Sequence, residues 1–414
     1  MKKILIHSIV FSPDGVSTAY LYNDIALQFK DNGFEVSVLT TTPHYNIIKD
    51  ELTKQPLFPK LFGLYYTSYF NGIIVKHIPQ KKFKSTTLRI IGFVYWHIIS
   101  FILALFEKKV DIILSPSPPL TIGIINIILG KIKKAKVIYN VQEIYPDILI
   151  NEGGLKSKFA ISILKTVERL VYNKSDAVTT IDSVFYKTIQ NRFIDISKLH
   201  IIPNFVDTSI YKPKLINQIK IDSQLFPKSN SLKLMYAGNI GIAQDWETLI
   251  NAAKQLKNDN IEFYIIGEGV MKDYLVREVE KNSLDNIHLI PYQKRELMPD
   301  LIAYSDLQFI FITPQTENQG FPSKVYTIMA CAKPLIVCSG SDTPITNFLN
   351  NRECSYLITE KNADKKINQI VKTLTITNKV ELQKMGERGF KEIAMSYSKE
   401  KVTDMYVNLA NSLL

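Results

Sequence analysis

The sequence predicts an α/β protein built from two doubly wound domains, each with a parallel sheet. Short β-branched runs alternate with amphipathic helical stretches, which is typical of βαβ units. The alternation stops in a polar stretch that ends near residue 231 and then starts again. A chain of 414 residues is also longer than one core usually serves. We therefore predict an N-terminal domain at 1–203 and a C-terminal domain at 204–397, with a ligand in the cleft between them.

Each predicted element follows from its local pattern. Strands are assigned to short runs of β-branched and aromatic residues, and helices to stretches with apolar residues three or four apart. Ser17–Asn32 is predicted to be a helix that ends at Gly33, because glycine is common just beyond a helix C-terminus. The predicted strands are Lys3–Val10, Phe34–Thr41, Ile73–Ile78, Asp111–Ser115, Lys136–Val141, Ala177–Ile181, Leu232–Ala237, Ile261–Ile266, Ile287–Ile290, Leu307–Ile312 and Leu335–Cys338. The other predicted helices are Leu120–Leu129, Phe159–Asn173, Asp245–Lys257, Val270–Lys281 and a last one over about 398–414, which can cap either domain.

Composition and charge limit the function classes. Hydrophobic residues make up 46% of the chain and charged residues 21%, which indicates a globular protein. The net charge of +11 lies almost entirely in residues 1–200, where 25 Lys/Arg face 15 Asp/Glu. An anionic membrane or a phosphate-bearing acceptor fits this basic half better than nucleic acid, because no nucleic-acid-binding signature is present. Three cysteines without metal-ligand spacing indicate a reducing compartment.

An uncharged apolar stretch, Ile90–Phe106, interrupts the basic half. Arg89 precedes the stretch, and two lysines follow it after Glu107. Its length is at the short limit for crossing a bilayer. Three placements stay open: a half-buried helix of the first domain, a helix in the membrane interface, and a true span. The stretch Leu120–Leu129, followed by four lysines within seven residues, repeats the same pattern.

Glycine-containing turns follow the first strands of both series. Gly15 follows the first strand, where it would allow a close approach of the backbone to a ligand. The second series has the turns Ala237–Gly241 and Gly267–Gly269 after successive strands. Because the carboxyl ends of parallel strands meet at one edge of a sheet, these turns predict one shared ligand-binding wall.

A turn followed by a short helix, 319–336, adds a candidate anion site. Ser323 is predicted to cap this helix, and Lys324 would add a positive charge in its first turn. A helix N-terminus offers unpaired N–H groups and can hold a phosphate. An ordinary loop-to-helix junction is the alternative interpretation.

Two carboxylates, Glu143 and Asp147, follow a predicted buried strand. At such a position they could hold acceptor hydroxyls or relay a proton, or they could cap the next segment. His7 is expected to be a core histidine, whereas His44 lies in a polar loop. No Asp-x-Asp pair is present, so no bound metal is expected.

Seven short motifs carry a resemblance to a known family. They are Pro13–Gly15, Ser115–Pro119, Glu143–Asp147, Ile202–Asp207, Ala237–Gln244, Gly267–Gly269 and Pro322–Ala330. In order and spacing the chain resembles the retaining, nucleotide-sugar-dependent glycosyltransferases of family four. It is most similar to bacterial enzymes of O-antigen, capsule and colanic-acid assembly, which include N-acetylfucosamine-type transferases. The resemblance spans nearly the whole chain and implies the GT-B fold, with two facing Rossmann-like domains and an inter-domain cleft.

The chain departs from the family at charged donor-site positions. The family's two glutamates fall at Gln319 and Thr327, and its diphosphate-neutralising arginine and lysine fall at Asn239 and Gln244. We expect Lys324 and nearby backbone N–H groups to bind the diphosphate in place of the missing arginine and lysine. Thr327 would bind a ribose hydroxyl. The complete set of expected donor-binding residues is Gly15, Asn239, Gly241, Gln244, Gly267, Glu268, Gly269, Gln319, Gly320, Pro322, Ser323, Lys324 and Thr327.

The resemblance implies a sugar transfer from a nucleotide diphosphate donor, most often UDP-linked, with retention and without a metal or other cofactor. The first domain would present a polyprenyl-diphosphate-linked saccharide, with Glu143 and Asp147 contacting it. This implies peripheral association with the inner face of the plasma membrane. Two alternatives remain: a nucleotide-sugar epimerase of the same fold, and a non-catalytic nucleotide-sugar-binding homologue.

Overall fold

A computed structural model describes residues 1–82, 85–151, 153–318 and 320–414. The chain forms two compact units. Unit 1 contains residues 1–204 together with 400–414, and unit 2 contains residues 205–399. Unit 1 thus includes most of the last helix, which returns to the N-terminal part of the chain.

Unit 1 is organised around one nine-stranded sheet. Its strands are β1 (Lys3–His7), β2 (Glu35–Thr41), β3 (Phe58–Lys60), β4 (Tyr65–Phe70), β5 (Ile73–Ile78), β6 (Ile112–Ser117), β7 (Lys136–Val141), β8 (Ala177–Thr180) and β9 (Leu199–Ile201). Its helices are α1 (Ser17–Asp31), α2 (Lys49–Lys54), α3 (Thr86–Leu105), α4 (Leu120–Lys133), α5 (Asp147–Asn151), α6 (Lys158–Lys174) and α7 (Ser183–Ile189). The strand order is β3-β4-β5-β2-β1-β6-β7-β8-β9. The β3–β4 and β4–β5 pairs are antiparallel, and the other pairs are parallel.

Unit 2 has a six-stranded parallel sheet in the order β12-β11-β10-β13-β14-β15. Its strands are β10 (Leu232–Ala237), β11 (Ile261–Ile266), β12 (Ile287–Ile290), β13 (Leu307–Phe311), β14 (Leu335–Cys338) and β15 (Ser355–Ile358). The helices that follow α7 are α8 (Trp246–Gln255), α9 (Lys272–Lys281), α10 (Met298–Tyr304), α11 (Lys324–Ala330), α12 (Pro344–Leu349), α13 (Ala363–Ile376), α14 (Lys379–Ser396) and α15 (Lys399–Leu413). In sequence order the sheet reads 3-2-1-4-5-6, the doubly wound order whose switch point lies between β10 and β13.

The α/β class with parallel sheets in two domains is therefore confirmed. The central strands are buried on both faces, because helices cover the two sides of each sheet. Six predicted strands have the bounds found in the structure, among them Lys136–Val141 and Ile261–Ile266. The antiparallel β3–β4 edge was not predicted, since Phe58–Lys60 is short and contains a proline.

The apolar stretch of unit 1 forms α3, which packs on the domain by one face only. Trp96, Ile99 and Leu103 are buried against the sheet and α4. Within the described residues, α3 is the one helix whose length and composition would suffice to cross a membrane. Its inward face is held in the core of unit 1, so α3 is a half-buried helix of this unit. The placement in a membrane interface concerns the outward face and stays a prediction.

Candidate functional site

Two turns at the switch point of unit 2 are joined by backbone hydrogen bonds. The turn after β10 donates from Gly238 N to Ile266 O at 2.9 Å and from Ile240 N to Glu268 O at 2.8 Å. Gly267 has a φ of +144°, and a Cβ there would lie 2.0 Å from the Gly238 carbonyl oxygen. Only glycine permits this approach. The predicted turns Ala237–Gly241 and Gly267–Gly269 therefore form one wall at the carboxyl ends of β10 and β11.

Lys324 lies against this wall. Its Nζ donates to the Ala237 carbonyl oxygen at 3.1 Å and lies 3.8 Å from the centre of the Tyr236 ring. Gly238, beside the ammonium, has a φ of +152°, a backbone conformation that other residues rarely adopt. The structure thus brings the predicted lysine of the short helix to the predicted glycine turns.

The ammonium of Lys324 has weak electrostatic support in this position. No carboxylate of the described residues forms an ion pair with it, and desolvation lowers the pKa of Lys324 to about 7. The carbonyl and the aromatic face are neutral partners that attract a cation only partly. A phosphate oxygen is a group that would supply the missing negative charge.

Tyr236 was not among the predicted site residues. Its ring is the face on which the Lys324 ammonium rests, and its hydroxyl donates to Asn239 O at 2.7 Å. The same side chain therefore supports the cation and fixes the turn. From the sequence alone, an aromatic residue near the end of a buried strand is interpreted as a core residue. The position of Tyr236 directly before the glycine turn is the signal that could have indicated a place in the site.

The segment before α11 differs from the prediction in one respect. Ser323 directly precedes the helix, but its hydroxyl makes no capping hydrogen bond, and its backbone is already helical at φ −57° and ψ −23°. The predicted N-cap is therefore wrong, because a residue with helical dihedrals does not direct its side chain to the N3 amide. Thr327 Oγ1 donates to Lys324 O at 2.9 Å within the helix.

Aromatic packing holds the approach to α11 in place. Phe321 lies 5.0 Å from Tyr326 and 4.9 Å from Phe348, measured between ring centres. Gly320 and Pro322 flank Phe321 and are half-buried. The predicted residue Gln319 lies outside the described residues. The position of Lys324 is therefore fixed by the packing of α11 and of the segment before it.

The other predicted donor residues line the same wall or support it. Gly241 O accepts from Trp246 Nε1 at 2.8 Å, which anchors the end of the β10 turn to α8. The Glu268 carboxylate is exposed and pairs with Lys272 at 2.6 Å. Asn239 is exposed, and Gln244 pairs with Ile312 in an isolated β-bridge. A Cβ on Gly269 would lie 2.2 Å from the Ile240 carbonyl oxygen.

In unit 1, the turn with Gly15 is fixed by the preceding aspartate. The buried Asp14 carboxylate accepts from the backbone N–H groups of His44, Tyr45 and Asn46 at 3.1, 3.1 and 2.9 Å. Gly15 N in turn donates to Asn46 O at 2.9 Å. Asp14 therefore ties the turn after β1 to the loop after β2, a structural role that the sequence did not indicate.

The two predicted carboxylates differ in their surroundings. Glu143 is half-buried after β7, and its carbonyl oxygen accepts from Ser117 Oγ at 2.8 Å. The Asp147 carboxylate pairs with Arg192, which also pairs with Glu168. Burial raises the pKa of the Glu168 carboxyl to about 7, and Arg192 opposes that rise. Asp147 thus belongs to an ion network of unit 1, and its contact with an acceptor stays a prediction.

The surroundings of His7 are those of a packed core side chain, with the Trp96 ring 5.1 Å away between ring centres. His7 is buried, its Nδ1 lies 2.7 Å from Asn126 Oδ1, and desolvation lowers the pKa of its ring to about 4. This agrees with the expected core histidine. No cluster of three or more metal-ligating side chains occurs among the described residues.

The geometry agrees with what comparisons with known proteins show. Residues 217–392 match the family described as glycosyl transferases group 1. The putative colanic acid biosynthesis glycosyl transferase WcaI of Escherichia coli is 22% identical over 83% of this chain and 84% of its own length. The probable glycosyltransferase WbjE of Pseudomonas aeruginosa is 22% identical over 59% of this chain and 61% of its own length.

Solved structures show the fold. The Anabaena protein HepE in complex with UDP superimposes with a TM-score of 0.71 and 13% identity, over all of both chains. Sucrose-phosphate synthase from Thermosynechococcus elongatus gives a TM-score of 0.73 and 13% identity, over 100% of this chain and 99% of its own. The protein therefore has the GT-B fold. Residues 217–392 are similar to group 1 glycosyltransferases, and one similar protein, WcaI, is named for colanic acid synthesis.

Proposed function

We propose that this protein transfers a sugar from a nucleotide diphosphate donor to a saccharide acceptor. The observation that carries the proposal is the Lys324 ammonium, which lies beside the glycine wall of unit 2 without a carboxylate partner among the described residues. A leaving diphosphate develops negative charge, and a cation beside exposed backbone at the switch point stabilises that charge. UDP is the favoured nucleotide, because the similar structure of HepE is a complex with UDP.

The proposed reaction retains the anomeric configuration and uses no metal. Lys324 would neutralise the diphosphate, and the turn with Asn239 and Gly241 would approach it closely. Thr327 would hold a ribose hydroxyl. An N-acetylaminodeoxysugar of the N-acetylfucosamine type is the proposed sugar class, which rests on the resemblance of the sequence motifs.

The proposed acceptor is a polyprenyl-diphosphate-linked saccharide of bacterial surface polysaccharide synthesis, such as O-antigen or capsule. Unit 1 would present it, with Glu143 in contact with the acceptor hydroxyl. The net charge of +10 in residues 1–200, from 25 basic and 15 acidic side chains, suits an acceptor that carries a diphosphate. The protein would then act as a peripheral protein at the inner face of the plasma membrane.

A transfer assay tests this function. Purified protein is incubated with a panel of UDP-sugars and short polyprenyl-diphosphate saccharides, with and without EDTA, and products are followed by mass spectrometry and NMR. The expected result is one glycosylated lipid product with the donor's anomeric configuration, formed equally in EDTA. Lys324→Met should reduce its formation at least a hundredfold, since one lost electrostatic donor costs about that much. UDP binding without turnover on any acceptor would instead favour the non-catalytic homologue.

A further inference from the structure

The outward face of α3 is apolar along its whole length. Five large aliphatic residues recur at spacings of three or four, which places them on one side of the helix. They are Ile91, Val94, Ile98, Ile102 and Leu105, and between 37% and 58% of each residue's surface is exposed. The opposite side, with Trp96 and Leu103, is buried in unit 1. We call these five residues the α3 stripe.

Neighbouring elements extend the apolar surface. Lys133 Nζ, at the end of α4, donates to Leu105 O at 3.0 Å, so the C-terminal ends of α3 and α4 lie together. Ile128 and Ile132 of α4 are exposed as well. On another side, Tyr95 Oη of α3 donates to Leu64 O at 3.3 Å, next to the β3–β4 turn.

That turn, Leu61–Gly63, carries a second group of exposed apolar side chains. Leu61 is 64% exposed, and Phe62 is fully exposed at a left-handed φ of 57°. An aromatic residue in this conformation without packing partners is unusual. The turn, the α3 stripe and α4 therefore offer an apolar surface larger than single scattered hydrophobic residues would give.

The surface is bordered by positive charge. Residues 81–136 contain ten Lys/Arg and only two Asp/Glu. Both carboxylates are already engaged: Glu107 pairs with Lys3 and Lys76, and Asp111 accepts from the Lys3 backbone N–H at 2.7 Å. The lysines at the ends of the helices are exposed, namely Lys108, Lys109, Lys131 and Lys134. The border therefore has an uncompensated positive charge.

We propose that the α3 stripe lies flat in the interface of an anionic lipid bilayer, with these lysines on the lipid headgroups. An apolar face bordered by lysines is the pattern of helices that lie in a membrane interface. The flat orientation follows because the other side of α3 is fixed in the core of unit 1. A second copy of the chain fits less well, since it would oppose two surfaces of the same positive charge. The inference deepens the proposed function, because a lipid-linked acceptor lies in the same bilayer.

Vesicle flotation tests the docking surface on the full-length protein. The probes are vesicles of phosphatidylcholine alone and vesicles with 30% phosphatidylglycerol, at low and high salt. The wild type should float with the anionic vesicles and much less with the neutral ones. Ile98→Asp combined with Ile102→Asp should weaken the partition coefficient at least tenfold, roughly as expected for charges placed on an apolar interfacial face. The matched control is Ile376→Asp with Val380→Asp, two exposed residues of unit 2 that should float like the wild type.

Three results would overturn the inference. The first is that the wild type does not float with anionic vesicles, and the second is that the stripe and control variants lose flotation equally. The third is that the wild type is a dimer in light scattering and only the stripe variant is a monomer. The last would identify the surface as an interface between copies. UDP binding and the melting temperature are measured on the same variants and should stay unchanged. Failure of UDP binding in all proteins, with flotation as expected, would count against the proposed function and leave this inference standing.

Discussion

Binding of a nucleoside diphosphate should be coupled to uptake of a proton by Lys324. Desolvation lowers the pKa of this residue in the unliganded protein to about 7, so its amine is about half neutral at pH 7 and about nine-tenths neutral at pH 8. A diphosphate at the amine favours the charged form and raises its pKa again. Binding must then draw a proton from the buffer, and the affinity must fall as the pH rises above 7.

The size of the effect follows from the same value. If only the charged form binds, the apparent dissociation constant scales with one plus the ratio of neutral to charged lysine. Between pH 7 and pH 9 this gives a loss of about fiftyfold, or about 2.3 kcal/mol, as an upper limit. The change is assigned to Lys324 by the Lys324→Met variant, which should bind weakly and with a flat pH profile.

Isothermal titration calorimetry with UDP measures both quantities. Titrations at pH 7, 8 and 9, each in two buffers of different ionisation enthalpy, give the dissociation constant and the number of protons taken up. The expected uptake at pH 8 is about 0.9. Equal dissociation constants from pH 7 to pH 9, with no uptake of protons, would refute the proposed contact between the diphosphate and Lys324.

Three further predictions concern stability. Gly267→Ala should destabilise the fold by roughly 2–4 kcal/mol, because its Cβ would lie 2.0 Å from a carbonyl oxygen at a φ of +144°. Arg192→Ala should cost about 3 kcal/mol at pH 8, since it leaves the buried Glu168 carboxylate unpaired, and less at pH 5, where that carboxyl is protonated. The folded protein should lose stability as the pH falls from 6.5 to about 4, by up to about 3 kcal/mol from His7 alone, because the unfolded imidazole is protonated first.

Urea unfolding followed by circular dichroism measures all three. Gly154→Ala is the control for the glycine, because its added Cβ would meet only an ordinary contact of 3.6 Å. Equal stabilities of the two glycine variants would contradict the close approach described here. If Arg192→Ala lowers the free energy of unfolding equally at pH 5 and pH 8, the role assigned to Glu168 is contradicted. His7→Gln should make the acid limb less steep, and the rest of the slope includes His77, whose pKa burial also lowers to about 4. An unchanged limb would contradict the contribution of His7.

The sequence predicted the framework of the fold well because its central strands are buried on both faces. A parallel strand covered on both faces is a mostly apolar run, so Lys136–Val141 and Ile261–Ile266 could be delimited to the residue. The edge of the sheet in unit 1 has no such pattern, and β3, with Phe58, Pro59 and Lys60 all exposed, was missed.

The candidate site was only partly predictable. Each glycine turn and Lys324 could be selected from its place after a strand or at a helix start. The contact of Lys324 with Ala237 joins residues 87 positions apart, and no local pattern reports it. The support from Tyr236 and the three backbone contacts of Asp14 were missed for the same reason. The prediction of Ser323 as an N-cap was wrong because tertiary packing sets the backbone dihedrals at the start of a short helix.

The measurement that tests the central claim most directly is a thermal-shift comparison of wild type and Lys324→Ala with UDP, GDP, ADP and UMP. The account predicts that UDP at a hundred times its dissociation constant stabilises the wild type by about 2.7 kcal/mol. UMP should have a smaller effect, and Lys324→Ala should keep its unliganded melting temperature but lose most of the response to UDP. Stabilisation by no nucleotide, or by UDP equally in both proteins, would contradict the claim that Lys324 binds the donor diphosphate.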